Sequence, residues 1–432
     1  MAGGEAAARW TPVAGAAAIA VAVFAAGCAT YRDALRRTEQ ELAANRPQAA
    51  LAALEGLKGG RDHVLYLLNK GMVARMAGEL RTSIAAFEEA KPLMADLEAL
   101  SVSETAGSLI LNENVRAYAG EVYERLLLHV YQALNHLELG DPHAARVEAL
   151  QVDLILRRLY PATERAPHGG DAFARYLSGL IFEALGEEDD AMIAYRHAYQ
   201  SYLAGSRAVP RDLQRRLLRF AARLGLQDEL RAYRKRFGNM EVAVGGTDDN
   251  GELVLVLSSG LAPLKVEHSV MTQDPATGRL YRISLPQLVP RPPAVSAMRV
   301  VAGGVSARSE QVEDVARSAL DTLAAQIPAL TARAIARNVA RDYAARKVGE
   351  EHGQGFELLV SFAGAAIEQA DTRAWTTLPD HIELATLSLP AGRHDVEVEL
   401  LGAAGVVERR RFTGVEIPAG SLRFLSIHSV TR

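Results

Sequence analysis

Apolar residues along this chain keep two different periods, and the change falls near residue 240. Upstream they recur at helical spacing. In Tyr176–Ala198, Gly179 and Phe182 share one helix face, Gly186 follows Leu185, and Ala191, Tyr195 and Ala198 recur on a second helix. The same series returns as Gly71, Gly78, Ser83, Phe87 and Ala90, and again as Ala133, Gly140, Ala145 and Ala149, with a fainter copy around Gly225. Small residues let two helices approach closely, and an aromatic ring fills the gap between them. The glycine after the first helix takes the left-handed conformation that ends it.

Downstream the pattern shortens to Val/Leu/Ile runs broken by Gly, Pro and Asn. Strands are predicted at Gly251–Ser258, Pro263–Met271, Leu280–Leu285 and Met298–Ala302. Helical spacing returns over Ser309–Ala324 and Pro328–Gly349, and Gly355–Ala370 reads as a third, buried helix. Strands resume at His381–Leu389, His394–Leu401, Gly405–Val415 and Ser421–Ser429. The expected fold is α+β and multidomain. A helical solenoid over 28–240 precedes a β-sandwich over 250–432, with a helical insertion at about 308–370. Turn residues from Gly238 to Gly251 join the two.

The helical series resembles the tetratricopeptide repeat, a helix–turn–helix unit of about 34 residues, although the copies here are unequally spaced. Stacked units share a core and leave a concave face lined by the first helix of each. That face is expected to carry Leu65, Leu68, Met72 and Arg75 in one unit and Phe173, Tyr176, Leu180 and Glu183 in another. Such side chains suit an extended peptide or a partner helix. They are equally the residues that pack on a neighbouring element.

Cys28 is the single cysteine of the 432 residues, so no internal disulfide forms. It closes an apolar run, Thr11–Gly27, that has the length of a secretory signal core rather than of a membrane span. The run Ala25-Ala26-Gly27-Cys28 resembles the lipobox of bacterial lipoproteins, with Ala25 where that pattern usually has Leu. The resemblance implies cleavage after residue 27 and acylation of Cys28. Each buried methylene contributes about 0.8 kcal/mol, and two chains suffice for stable attachment. Ala29 stands where inner-membrane retention uses Asp, so the expected address is the periplasmic face of the outer membrane.

Net charge is −4, and no basic excess points to nucleic acid. No phosphate loop, His-Glu-x-x-His or Gly-x-Ser-x-Gly elbow is present, so no catalytic residue, cofactor or metal ligand is assigned. His129, His136 and His143 recur at heptad spacing, but Gly140 and Pro142 break the face they share. Arg215, Arg216 and Arg219, with Arg231, Arg234, Lys235 and Arg236, read as a solvated basic helix face. Asp248, Asp249, Asn250 and Glu252 read as a solvated turn, and Trp375 as a packing residue.

Three stretches resemble an uncharacterised family of proteobacterial lipoproteins. They are Glu124–Glu148-Ala149 around Leu139-Gly140-Asp141, Gly251–Lys265 around Gly260-Leu261-Ala262-Pro263, and Asp371-Thr372-Arg373-Ala374-Trp375-Thr376-Thr377-Leu378-Pro379. The family implies helical repeats with a β-rich end and no established activity. Some members accompany lipoprotein activators of peptidoglycan synthases, which implies an envelope role by association. The expected function is a lipid-anchored, non-enzymatic scaffold holding a protein partner on its concave helical face. The alternative is an envelope glycan- or peptidoglycan-acting enzyme using a carboxylate pair.

Overall fold

The structure, a computed structural model, describes residues 31–103, 117–159, 171–238, 240, 249–273, 280–352 and 369–431. Cys28, the signal segment and most of the expected helix Gly355–Ala370 lie outside them. Helices fill the N-terminal part and sheets dominate the C-terminal part.

The first part runs α1 (Tyr31–Ala43), α2 (Pro47–Leu54), α3 (His63–Met76), α4 (Leu80–Ser103), α5 (Val122–Glu138), α6 (Pro142–Leu159), α7 (Asp171–Ala184), α8 (Glu188–Ala204), α9 (Arg211–Arg223) and α10 (Gln227–Phe237). Each packs on its sequence neighbours. The α7–α8 turn shows why. Gly186 sits at φ 73°, and its N–H reaches Glu183 O while Glu187 N–H reaches Phe182 O. Those two bonds cap the last carbonyls of the helix, and the positive φ costs glycine little. Gly78, Gly140 and Gly225 close α3, α5 and α9 the same way. Two glycines are also set by close approach. A Cβ on Gly71 meets the Phe87 ring at 2.3 Å, and one on Gly179 meets the Tyr195 ring at 2.3 Å.

The second part holds β1 (Asn250–Ser259), β2 (Leu264–Gln273), β3 (Leu280–Val289), β4 (Ala297–Ala302), β5 (Val305–Arg308), β6 (Glu310–Asp314), α11 (Val315–His352), β7 (His381–Pro390), β8 (Gly392–Gly402), β9 (Gly405–Ile417) and β10 (Leu422–Ser429). One four-stranded sheet has the order β10-β1-β7-β6, with β1 and β10 parallel and the other pairs antiparallel. A second has the order β5-β4-β8-β9, and β2–β3 form a separate hairpin beside α11.

The sequence placed residues 309–314 at the start of a helix. Of these, Glu310–Asp314 instead form β6, because they find a partner in β7, with a register shift between Gln311 and Glu313. The two helices expected over 309–324 and 328–349 are one from Val315 on, α11, which continues through Pro328. Proline removes a single N–H from the helix ladder, and a long helix tolerates that loss at a kink.

Strand β1 decides how the halves meet. Leu253, Leu255 and Leu257 enter a core shared by the two four-stranded sheets, together with Met298, Val300 and Val398. Val254 and Val256 point the other way, into the core of the helices. Side chains alternate across a strand, so the run Leu253–Leu257, apolar at every position, needs cover on both faces. The second sheet supplies one cover and the helical array the other. Phe424 of β10 and Ile382 and Leu384 of β7 join the helical core in the same way.

Candidate functional site

Where the helices meet the first sheet, the described residues gather a set of buried polar groups. Asp212 and Arg216 lie one turn apart on α9, so both project from the same face. Arg216, 2% exposed, directs Nε to Asp212 Oδ2 at 2.7 Å, Nη1 to Glu183 Oε2 at 2.6 Å and Nη2 to Glu252 Oε2 at 2.7 Å. Arg219 donates to Glu252 Oε1 at 2.6 Å and also to Glu183. Tyr176 donates to Asp212, Tyr195 donates to Glu183, and Thr386 of β7 donates to Asp212 Oδ1 at 2.7 Å. Two helices and one strand thus converge on one guanidinium, and α8 and β7 add bonds to its carboxylates.

Burial works to raise the Asp212 carboxyl, but Arg216, the Tyr176 hydroxyl and Arg215 outweigh it and hold it below the usual range. Burial likewise opposes ionisation of Glu252, and Arg216 and Arg219 overcome it. Charges taken out of water must be paired to persist. This set is paired internally, and its carboxylates are committed to arginines.

Further contacts cross the same surface. Tyr131 shares a hydrogen bond with Ser258 at 3.0 Å, and Tyr202 donates to Val312 O at 2.6 Å. Arg207 meets Glu313 at 2.8 Å. Glu310 Oε2 accepts from Arg211 N–H at 2.8 Å, capping α9 from the sheet. Trp375, fully buried, packs edge-on against Phe87 at 5.7 Å, and its backbone N–H reaches Glu124 Oε1 at 2.8 Å. His428 of β10 lies against the Tyr131 ring, and neither ring nitrogen has a hydrogen-bond partner among the described residues. Burial, then Arg75 and Arg410, push its imidazolium well below the ordinary histidine value.

The residues expected to line an open concave face are buried or part-buried. Leu65, Leu68, Met72, Phe173, Tyr176 and Leu180 are all buried in the shared core. Arg75 is buried too, reaching Asn135, Glu138 and Ser426 of β10. Glu183 is part-buried in the Arg216 network. They do not form a free groove: the apolar ones are buried in a core that also takes in Val254, Trp375, Ile382, Leu384 and Phe424. Arg216 is not on a solvated basic face either, and Glu252 belongs to β1 rather than to a solvated turn. The sequence signal for the network is Asp212 and Arg216, four apart on the apolar side of α9, beside Leu213 and Leu217.

Away from the seam, ligand atoms of Glu88, His136 and Glu148 lie within 4.8 Å of one another. Among the described residues no helix is long and apolar enough to cross a membrane.

No protein-family model matches the chain, and no curated protein matches it. Among solved structures, the crystal structure of the apo form of RapI is similar over 52% of this chain, at 11% identity and a TM-score of 0.37. The chain spans 58% of the length of that protein.

Two substitutions measure the seam. Arg216→Met strands Asp212, Glu183 and Glu252 without their cation and is expected to cost about 3–5 kcal/mol in urea unfolding. Arg215→Met, at a side chain 49% exposed, is expected to cost under about 0.5 kcal/mol. A second prediction concerns pH. Unfolded His428 takes its proton near the ordinary value of 6.5, whereas the folded imidazole takes it only well below. Above that value both states are neutral. As pH falls through it the unfolded chain binds the extra proton, so this group lowers stability by about 1.4 kcal/mol per pH unit. His428→Phe removes that component, seen as a shallower loss of stability between pH 7 and 5.5 than in the wild-type chain.

Proposed function

We propose that this protein is a lipid-anchored, non-enzymatic scaffold of the bacterial envelope. In this reading Cys28 carries the lipid, and the body stands at the periplasmic face of the outer membrane. The helical part is a tetratricopeptide-like stack, and the two four-stranded sheets form a β-sandwich seated in its concave face. The observation that carries the reading is the self-occupied helical face. The Arg216 network and the shared apolar core fix stack and sheets as one body, with the seam's carboxylates tied to arginines rather than facing a substrate.

A protein partner then meets the outer surface. Helix α11 offers one stripe for it. Ile335, Val339 and Tyr343, each four residues apart, are 48%, 56% and 72% exposed. Exposed apolar side chains on one helix face suit a partner interface. The lipoprotein-family resemblance supports a place in cell-envelope or peptidoglycan assembly.

Site-specific photo-crosslinking in envelope membranes tests this. A photoreactive residue in place of Tyr343 is expected to give a defined protein adduct, lost when Cys28→Ser removes the anchor. The same residue in place of Leu68 is expected to give only crosslinks within the chain. A partner adduct at Leu68 overturns the self-occupied face. Adducts at Tyr343 that persist in a Cys28→Ser chain still at the membrane overturn the lipid tether.

A further inference from the structure

Helices α4, α5 and α6 bring a second polar cluster together, of which Glu88, Lys91, His129 and Glu148 line a cavity of about 460 Å³ that opens to solvent. Glu88 and Lys91 come from α4, His129, Gln132 and His136 from α5, and Glu148 from α6. The heptad spacing of His129 and His136 puts both on one side of α5. His143, the third histidine of that series, is exposed at the start of α6, and two carboxylates from flanking helices take its place.

Lys91 Nζ lies 2.7 Å from Glu88 Oε1 and 2.7 Å from Glu148 Oε1. The ammonium thus occupies the point at which both carboxylates aim. Two carboxylates face one ammonium. The supporting bonds resemble those that orient metal ligands. His129 Nδ1 is 2.6 Å from Glu148 Oε2, which fixes the far oxygen of that carboxylate. Gln132 Nε2 donates to Glu88 Oε1 at 2.7 Å, while Oε1 of the same buried amide has no hydrogen-bond partner among the described residues.

We propose that Glu88, His136 and Glu148 form a site for a divalent transition metal such as zinc, entered from the cavity and held closed by Lys91 when no metal is bound. Two oxygens and one nitrogen suit zinc, with water in the fourth position. Tetrahedral zinc at 2.0–2.2 Å sets its ligands about 3.4 Å apart. From separations of at most 4.8 Å the side chains close by no more than about 1.4 Å. Glu88 is more than half exposed, and Lys91 has a flexible stem with solvent access through the cavity. Metal entry is then an exchange of cations. A divalent ion neutralises both carboxylates and uses the imidazole of His136, which a lysine leaves idle. The inference is independent of the anchor and of the partner surface.

The test is titration of the untagged full chain with cobalt(II), read by its visible absorption, and with zinc in competition against a chromophoric chelator. The expected result is one equivalent bound, with the absorption of a four- or five-coordinate ion. His136→Ala is expected to weaken binding by about tenfold or more. Lys91→Met is expected to tighten it, a gain that misfolding cannot produce. Glu148→Gln, with helical content checked by circular dichroism, is expected to weaken it as His136→Ala does. The proposal is overturned if the wild-type chain binds neither ion, if binding is unchanged in both His136→Ala and Glu148→Gln, or if Lys91→Met binds no more tightly than wild type.

Discussion

A guanidinium with almost no access to water holds this fold together. Arg216 is supplied by α9, but its partners come from α7, from its own helix and from β1, and the carboxylates it meets are in turn held by Tyr176, Tyr195, Arg219 and Thr386. Ionised groups survive burial only when geometry and hydrogen bonds are complete. The network therefore exists only when helices and sheet are both in place. It fixes which register of sheet against helix is native, where apolar packing alone tolerates sliding.

The second constraint is β1. A parallel partner, β10, and an antiparallel one, β7, leave it no free edge, and both its faces are apolar. Such a strand cannot sit at the surface of a two-layer fold. The helical array is its third layer. The same holds from the side of the helices, whose buried apolar residues share a core with strands encoded in the same chain.

Much of this was legible in the sequence. The glycines that end α3, α5, α7 and α9, and the Gly–aromatic pairs Gly71–Phe87 and Gly179–Tyr195, follow from backbone conformation and helix spacing, which are local properties. Most strands stand within a few residues of their expected places for the same reason. The seam was not legible. A periodic pattern says that Leu68 or Tyr176 faces something apolar, but not whether a partner or a strand far along the chain supplies it. Arg216 reads as solvated because arginine usually is. Glu183 from α7 and Glu252 from β1 show otherwise. Strand β6 was missed because a short polar run becomes a strand through its neighbour rather than through its own composition. The cluster of Glu88, His136 and Glu148 hid for a similar reason. Its carboxylates stand on the helices either side of the histidines.

The account stands on helices and sheet opening together. Native-state hydrogen exchange in rising urea measures this directly, through the amides of Leu253–Leu257 in β1 and those of Tyr176–Leu180 in α7. A shared seam predicts that both sets merge into one global opening with the same free energy and the same urea dependence. Exchange of the β1 amides through a separate, lower-energy opening, with α7 still protected, would contradict it.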